Sequence, residues 1–289
     1  MDSQHFLAKP VFYKFVLSVA RHVPSFLLYA IADRLTEFSY LLYSKARANV
    51  KANIRRVFPD APEPEIKHIA FNVFRNYGRY ICDYGKFLGG DRSLINRKFS
   101  VLEGEDNLKN ALQMKKGIIL LTAHLGNWEL GGTFFSRNDI KTNVITLRDQ
   151  DTGIDSVRTW YRKVHDVNTI TIGDSPFSSL ELISAINRNE MVAMLIDRYE
   201  MDKGGVEVEF FGSKTYFPVV PFWLGKMTQA PIVPAFVVKE KNGYRGIVEK
   251  PLIISNESDM QPVISSVVDI FEQYIKKYPD QWYNFVTIK

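Results

Sequence analysis

The chain has one cysteine, Cys82, in 289 residues, so it can close no internal disulfide and build no cysteine-based metal site. No uncharged apolar run reaches the roughly 18–20 residues that a membrane-spanning helix needs. The most apolar stretch, residues 11–31, is broken by Lys14, Arg21, His22 and Pro24. The opening MDSQHF has no Lys or Arg, and no small-residue cleavage site follows it, so a signal peptide is not expected. There is no H-E-x-x-H and no pair of histidines at zinc-site spacing, which leaves a zinc hydrolase without ligands. A G-x-S-x-G nucleophile elbow is missing, and so is a glycine-rich phosphate loop. No metal and no nucleotide cofactor is therefore expected. What is present, 46% apolar and 24% charged residues, is the composition of a folded globular protein. The length suits one large domain with a sizeable core.

The net charge of +5 is local. Residues 1–60 hold nine basic and four acidic side chains, and residues 61–289 hold 28 of each. A uniformly basic nucleic-acid binder is thereby disfavoured, and no nucleic-acid partner is expected. Within 11–31, Lys14, Ser18 and His22 recur at i, i+4, i+8 as one polar stripe on an otherwise apolar helix. Lys45, Arg47, Lys51, Arg55 and Arg56 follow without an acidic residue between them, and Arg47, Lys51 and Arg55 share one helical face. Like charges at that spacing repel, so the face favours an anionic partner such as a bilayer surface. Two readings stand: a core helix with one wet edge, or a helix pair lying on a membrane.

Pro59, Pro62 and Pro64 break the chain before a helix over about 65–87, with Ile66, Ile69, Ala70, Val73, Phe74 and Tyr77 on one face. Apolar runs then alternate with amphipathic stretches. The runs are Gly117–Thr122, Asn143–Leu147, Thr169–Ile172, Met191–Ile196, Pro231–Val238 and Gly246–Ile254. The helices expected between and after them are Asp106–Met114, Asp155–His165, Ser178–Asn187, Pro218–Met227 and Val263–Tyr278, with Trp282–Ile288 as a closing strand. This alternation predicts an α/β fold: a largely parallel central sheet flanked by helices, with a helical apolar and basic N-terminal extension. One domain is expected over 1–289, made of an extension at 1–58 and a catalytic α/β body at 59–289.

Ligands of open α/β sheets collect at the carboxyl ends of the strands. Three predicted strands deliver His124, Arg148 and the pair Asp197-Arg198 towards that edge. In His124-Leu-Gly-Asn-Trp-Glu129, Gly126 allows a sharp turn, Asn127 suits a helix N-cap, and Glu129 falls in the first helical turn. A carboxylate on one imidazole nitrogen fixes the tautomer and makes the other a general base. The plainer reading of H-x4-E is a capping glutamate near a partly buried histidine. Gly173-Asp-Ser-Pro176 reads as a turn and cap, and Cys82 as core.

The HLGNWE block directly after a buried strand resembles the signature of the lipid A biosynthesis (late) acyltransferase superfamily, which includes bacterial phosphatidylinositol mannoside acyltransferases. Three further blocks in order resemble it as well: Asn53–Pro59, Leu195–Arg198 with Gly205–Gly212, and Tyr278–Trp282. The resemblance implies a catalytic dyad at His124 and Glu129, a functional arginine at Arg162, and an acidic group around Asp197. It implies acyl transfer from a thioester co-substrate, acyl carrier protein or CoA, to a hydroxyl of a membrane lipid or glycolipid. The place would be the cytoplasmic face of a bacterial inner membrane, with peripheral attachment to an anionic surface. Backbone N–H groups at Gly126–Trp128, or Arg162, are candidates for the oxyanion site, and Arg148 and Arg198 for phosphate contacts. Trp128, Phe134, Phe135, Phe210, Phe211, Phe217, Phe222 and Trp223 are candidates for lining an acyl channel or for core packing. An esterase or thioesterase with the same His–Glu pair, and a non-catalytic lipid-binding relative, are the alternatives.

Overall fold

Short β-branched runs too apolar for a surface strand end up in the middle of a seven-stranded sheet. The computed structural model describes residues 20, 23–87, 93, 97–137, 139–147, 152–172, 178–198, 205–255 and 259–288. The strands of this sheet are β1 Phe99–Glu103, β2 Ile118–Thr122, β3 Thr142–Leu147, β4 Val167–Ile172, β5 Met191–Leu195, β8 Ile232–Glu240 and β9 Gly243–Val248, in the spatial order β1-β9-β8-β2-β5-β3-β4. A separate hairpin is formed by β6 Gly205–Phe210 and β7 Ser213–Pro218. Helices α1 Ser25–Leu42, α2 Ser44–Val57 and α3 Glu63–Phe87 precede the sheet. Helices α4 Glu105–Gln113, α5 Trp128–Arg137, α6 Thr152–Val164, α7 Ser178–Asn187, α8 Val220–Thr228 and α9 Gln261–Lys277 are threaded through it.

All strand pairings in the sheet are parallel except β8 with β9. Alternate residues of β2 serve the two faces, as a pleated strand requires. Ile119 and Leu121 join Leu182, Phe222 and Phe271 of α7, α8 and α9. Ile118 and Leu120 join Leu108 of α4 and Phe135 of α5. Both faces are thus covered, and β2 is buried along its whole length. The α/β expectation holds, and its six sheet strands stand within a few residues of where the apolar runs placed them.

Two features differ from the expectation. Strand β1 and the β6–β7 hairpin are additions to it; the hairpin closes through Phe211 and Gly212, both at positive φ, the conformation of a two-residue turn between twisted strands. The segment from Trp282 to Ile288 is not a strand. Only Trp282 bridges to Leu125, and the rest runs over α2. There the carbonyls of Asn284 and Val286 accept from Asn53 Nδ2, Phe285 O accepts from Asn49 Nδ2, and Ile288 N–H donates to Asn53 Oδ1. Asparagine side chains on a helix replace the ladder partner a strand would need.

The N-terminal helices pack on this C-terminal segment. Leu28 and Ala32 of α1, Val50 and Ile54 of α2, Val73 and Phe74 of α3, and Tyr283 form one apolar cluster. The opposite face of α1 is bare: Phe26 is 70% exposed, Phe38 63% and Leu41 70%. The polar stripe expected at Lys14, Ser18 and His22 lies outside the described residues. The basic face of α2 has partners within the chain. Lys51 and Arg55 both pair with Glu63, and Arg47 caps the carbonyls of Tyr40 and Leu41 at the end of α1. Among the described residues no helix is long and apolar enough to cross a membrane.

Candidate active site

Strands β2 and β5 are adjacent, parallel and paired in register, Thr122 against Leu195. His124 lies two residues past Thr122 and Asp197 two residues past Leu195, so the register carries the two side chains to the same height at the sheet edge. Nδ1 of His124 is 2.7 Å from Oδ1 of Asp197, and the backbone N–H of His124 donates to the same oxygen at 3.0 Å. Trp282 Nε1 donates to Oδ2 at 2.9 Å. An ionised carboxylate can only accept, so Nδ1 carries the proton and Nε2 keeps its lone pair. The Asp197 side chain is fully buried, whereas 21% of the His124 side chain is exposed and within reach of a ligand.

The electrostatics agree with that protonation. Burial pushes the Asp197 carboxyl up, but the His124 ring with its hydrogen bond, the Arg198 guanidinium and the Trp282 indole outweigh it and hold it down to about 2. Burial, reinforced by Arg198, moves the His124 imidazole below its usual value in spite of Asp197. The ground state is a neutral imidazole against a carboxylate, the form a general base needs.

Glu129 is not the carboxylate on this histidine. No hydrogen bond joins it to His124. It forms a buried, two-pronged ion pair with Arg162 of α6, Nε to Oε2 at 3.0 Å and Nη2 to Oε1 at 2.6 Å. The side chain of Glu129 faces the neighbouring helix α6, not the strand end. Burial lowers the Arg162 pKa, but the facing Glu129 carboxylate more than reverses this and raises it. The residues singled out therefore form two pairs, His124–Asp197 and Glu129–Arg162, instead of one His–Glu dyad.

The turn between them has the local chemistry its sequence predicts. Gly126 has φ +63°, and a Cβ there would lie 2.0 Å from Val237 O, so only glycine fits. Asn127 caps α5, its Oδ1 accepting from Leu130 N–H at 3.0 Å. The N–H groups of Gly126 and Asn127 are already committed, to Gln281 O at 2.9 Å and Val237 O at 2.7 Å. They are not free to hold an oxyanion as expected, because the turn is stitched to β8 and to the C-terminal segment. Trp128 packs edge-to-face on the His124 ring, centroids 5.2 Å apart. Arg198 donates through Nη2 to the carbonyl of Tyr283, while its Nε is buried without a hydrogen-bond partner. Arg148 lies outside the described residues, as does Gly173–Pro176. Cys82 is core, its thiol pushed up to about 12 by burial.

Sequence reasoning does not find Gln281, which clamps Lys239 with both ends of its amide while its carbonyl holds Gly126. It also misses a buried cluster in which Asp83 of α3 gathers Tyr29, Tyr244 and Lys239. An aspartate, two tyrosines and a lysine spread over four elements leave no local signal. Of the aromatic residues considered for a channel, Trp128, Phe134 and Phe135 border a cavity between α5 and the sheet, with Glu129 in its wall. Phe210, Phe211, Phe217 and Phe222 are core on the opposite face, and Trp223 is half exposed. Among the described residues no group of His, Cys, Asp and Glu is placed to hold a metal ion.

Comparison with known proteins gives the chain a lineage. The family of bacterial lipid A biosynthesis acyltransferases matches residues 4–287. The phosphatidylinositol mannoside acyltransferase of Mycobacterium tuberculosis (strain H37Rv) is 25% identical over 235 residues, 81% of this chain and 74% of the relative. That of Mycolicibacterium smegmatis is 23% identical over 236 residues, 81% of this chain and 76% of the relative. The lipid A biosynthesis lauroyltransferase of Escherichia coli K12 is 23% identical over 273 residues, 92% of this chain and 86% of the relative. With its described α/β sheet and the HLGNWE turn at a strand end, the chain belongs to the bacterial lipid A biosynthesis acyltransferase family.

Proposed function

We propose that this protein moves a fatty acyl chain from a thioester, acyl carrier protein or CoA, to a hydroxyl of a lipid or glycolipid at the cytoplasmic face of a bacterial inner membrane. The observation that carries the mechanism is the 2.7 Å bond between His124 Nδ1 and Asp197. It leaves Nε2 as the base. Nε2 takes the proton of the acceptor hydroxyl while the oxygen attacks the thioester carbonyl. The C–S bond then breaks, and the leaving thiolate recovers the proton from the imidazolium. Asp197 orients the ring and stabilises the imidazolium, a contribution of about 10²–10⁴-fold for general-base catalysis. The Glu129–Arg162 pair holds the first turn of α5 against α6 and positions the site.

The names of the relatives make phosphatidylinositol mannosides and lipid A precursors the acceptors to try first. Membrane attachment is supported by the bare apolar face of α1, where Phe26, Ile31, Phe38, Leu41 and Leu42 are exposed. A helix of this kind lies in the bilayer interface. The test is acyl transfer from a labelled thioester to vesicles containing each acceptor, with wild type and with folded His124→Ala. Loss of about 10²–10⁴-fold in the variant is expected. Full retention would remove His124 from the chemistry, and release of free fatty acid with acceptor present would make the protein a hydrolase.

A further inference from the structure

Three consecutive residues of the C-terminal segment, Gln281, Trp282 and Tyr283, touch both bends of the active site. On the β2 side, Gln281 O accepts from Gly126 N–H at 2.9 Å and Tyr283 N–H donates to His124 O at 2.8 Å. On the β5 side, Trp282 Nε1 donates to Asp197 Oδ2 at 2.9 Å, and Tyr283 O accepts from Arg198. The Gln281 side chain ties the same residues to β8, its amide bonding Lys239 N–H at 2.8 Å and Lys239 O at 2.9 Å. The segment is held on either side by asparagines of the N-terminal helices. Asn76 of α3 donates to Asp280 O at 3.0 Å, and Asn53 of α2 to Asn284 O at 3.0 Å. Strand register brings the two bends alongside one another, and this segment then bonds to both.

The indole of Trp282 does more than fill space. It is 1% exposed and packs on Phe210 and Phe211, centroids 6.3 and 5.9 Å away, a place a phenylalanine could also occupy. A buried indole needs an acceptor for its N–H, and here the acceptor is the carboxylate that orients the base. A donor on a carboxylate stabilises its charge and makes it a weaker partner for an imidazolium. The other charged groups acting on His124 are Arg198 from the β5 bend and Arg158 from α6, and both oppose a charged ring. Tyr283 adds no charge, since burial pushes its phenol well above the usual value. Asp197 is the group among these that favours the imidazolium, so what bonds to Asp197 governs the base.

We propose that Gln281–Tyr283 is a bracket that assembles the His124–Asp197 pair from two separate bends, and that Trp282 is a positioning residue whose N–H sets, through Asp197, how strong a base His124 is. The proposal rests on the reading of His124 as the base of acyl transfer. Gln281 acts on the backbone of the His124 turn alone, whereas Trp282 acts on the carboxylate. Their losses therefore differ in kind.

The experiment compares wild type, Trp282→Phe and Gln281→Met by kcat and KM of acyl transfer across pH, and by NMR titration of the His124 ring in histidine-labelled protein. Thermal melting verifies folding. If Trp282→Phe does not fold, Trp282 replaced by 3-benzothienylalanine keeps the shape and exchanges only N–H for sulfur. Loss of the donor should lower kcat by about 10–100-fold with KM little changed. It should also move both the acid limb of the rate and the His124 titration to higher pH. Gln281→Met should lower kcat with both midpoints unmoved. Trp282→Phe with a lower melting temperature but wild-type midpoints overturns the proposal and makes Trp282 packing alone. Wild-type kcat in Gln281→Met overturns the bracket. A wild type that turns over no acyl thioester removes the reading beneath it, and the His124 titration still decides whether the indole governs the ring.

Discussion

His124 and Asp197 stand opposite one another because each lies two residues past a register-paired position, Thr122 on β2 and Leu195 on β5. A parallel pair of buried strands thus holds the two short bends that follow them side by side, and with them a histidine and a carboxylate at 2.7 Å. Bends anchored this close to rigid strands hold such a pair better than long loops would, since a small misplacement costs heavily in rate. The same carboxylate accepts from the backbone of His124 and from Trp282, so its position is determined by three donors at once.

Replacing that carboxylate should disturb the tautomer before it disturbs the fold. Asp197→Asn keeps the volume but exchanges an acceptor-only group for an amide that can turn a donor towards Nδ1. That would favour the tautomer with its proton on Nε2, the wrong nitrogen for a base. Transfer activity should fall by about 10²–10⁴-fold with KM little changed, as measured by steady-state kinetics. A variant that keeps wild-type kcat would return the role of orienting carboxylate to another residue.

The directions of the two pKa shifts set the pH dependence. The base must be neutral, and the folded pKa of His124 lies below 6.5. The rate should rise as pH increases through that depressed value and be flat by neutrality. Stability has the same sign. With His124 depressed, the unfolded chain binds more protons just below pH 6.5, so stability falls as the pH drops through that window. Asp197, at about 2 in the fold against an ordinary 3.8, contributes stability that is complete above 3.8 and lost as the pH falls towards 2. Denaturant melts across the acid range should show the two losses in succession, and His124→Gln should remove the first.

The Glu129–Arg162 pair should behave in the opposite way, as structure first. Both side chains are buried, 3% and 5% exposed, so removing one partner leaves an uncompensated charge. Glu129→Gln is expected to cost about 3–5 kcal/mol in stability. The double replacement Glu129→Leu with Arg162→Met should cost less than either single change, because no lone charge remains. Activity in Glu129→Gln should fall without any change in the apparent pKa of the rate profile, since His124 titrates against Asp197. A shifted profile would show that Glu129 reaches the imidazole during turnover.

Much of this arrangement is legible in the chain. The apolar runs place six sheet strands, and the residues immediately after each run put His124 and Asp197 at one sheet edge. The pairing is not legible, for a physical reason. Five residues separate His124 from Glu129 along the chain, but the N-cap at Asn127 starts a helix whose first turn aims Glu129 at α6. Seventy-three residues separate His124 from Asp197, and only strand register joins them. Strand β1 leaves little trace because FSVLE is short, has two polar residues in five and lies on the edge of the sheet, where burial imposes little pattern. The segment from Trp282 reads as a strand because it is apolar and aromatic; in the fold its backbone is satisfied by Asn49 and Asn53 instead. The basic stripe on α2 reads as an unanswered charge because Glu63, which answers part of it, lies beyond a proline turn.

Glu63 also changes which residues should matter for membrane binding. Lys51 and Arg55 are paired with it, and Arg47 is engaged at the end of α1, so neutralising them removes contacts within the chain as well as attraction to lipid. Each basic residue near an anionic surface contributes only about 1 kcal/mol. The face of α1 has more to offer: Phe26, Phe38 and Leu41 are each at least 63% exposed, and a large apolar side chain fully transferred from water is worth about 1.5–3 kcal/mol. Phe26→Asp with Phe38→Asp should therefore lower partition onto anionic vesicles by well over tenfold, in low and high salt alike. Lys51→Gln with Arg55→Gln should lower it by less, and the difference from wild type should shrink as salt rises and screens the charges. Cosedimentation with vesicles at two salt concentrations separates the cases. If the aspartate variant stays bound while the glutamine variant is released, attachment runs through the basic stripe and the bare face of α1 serves some other contact.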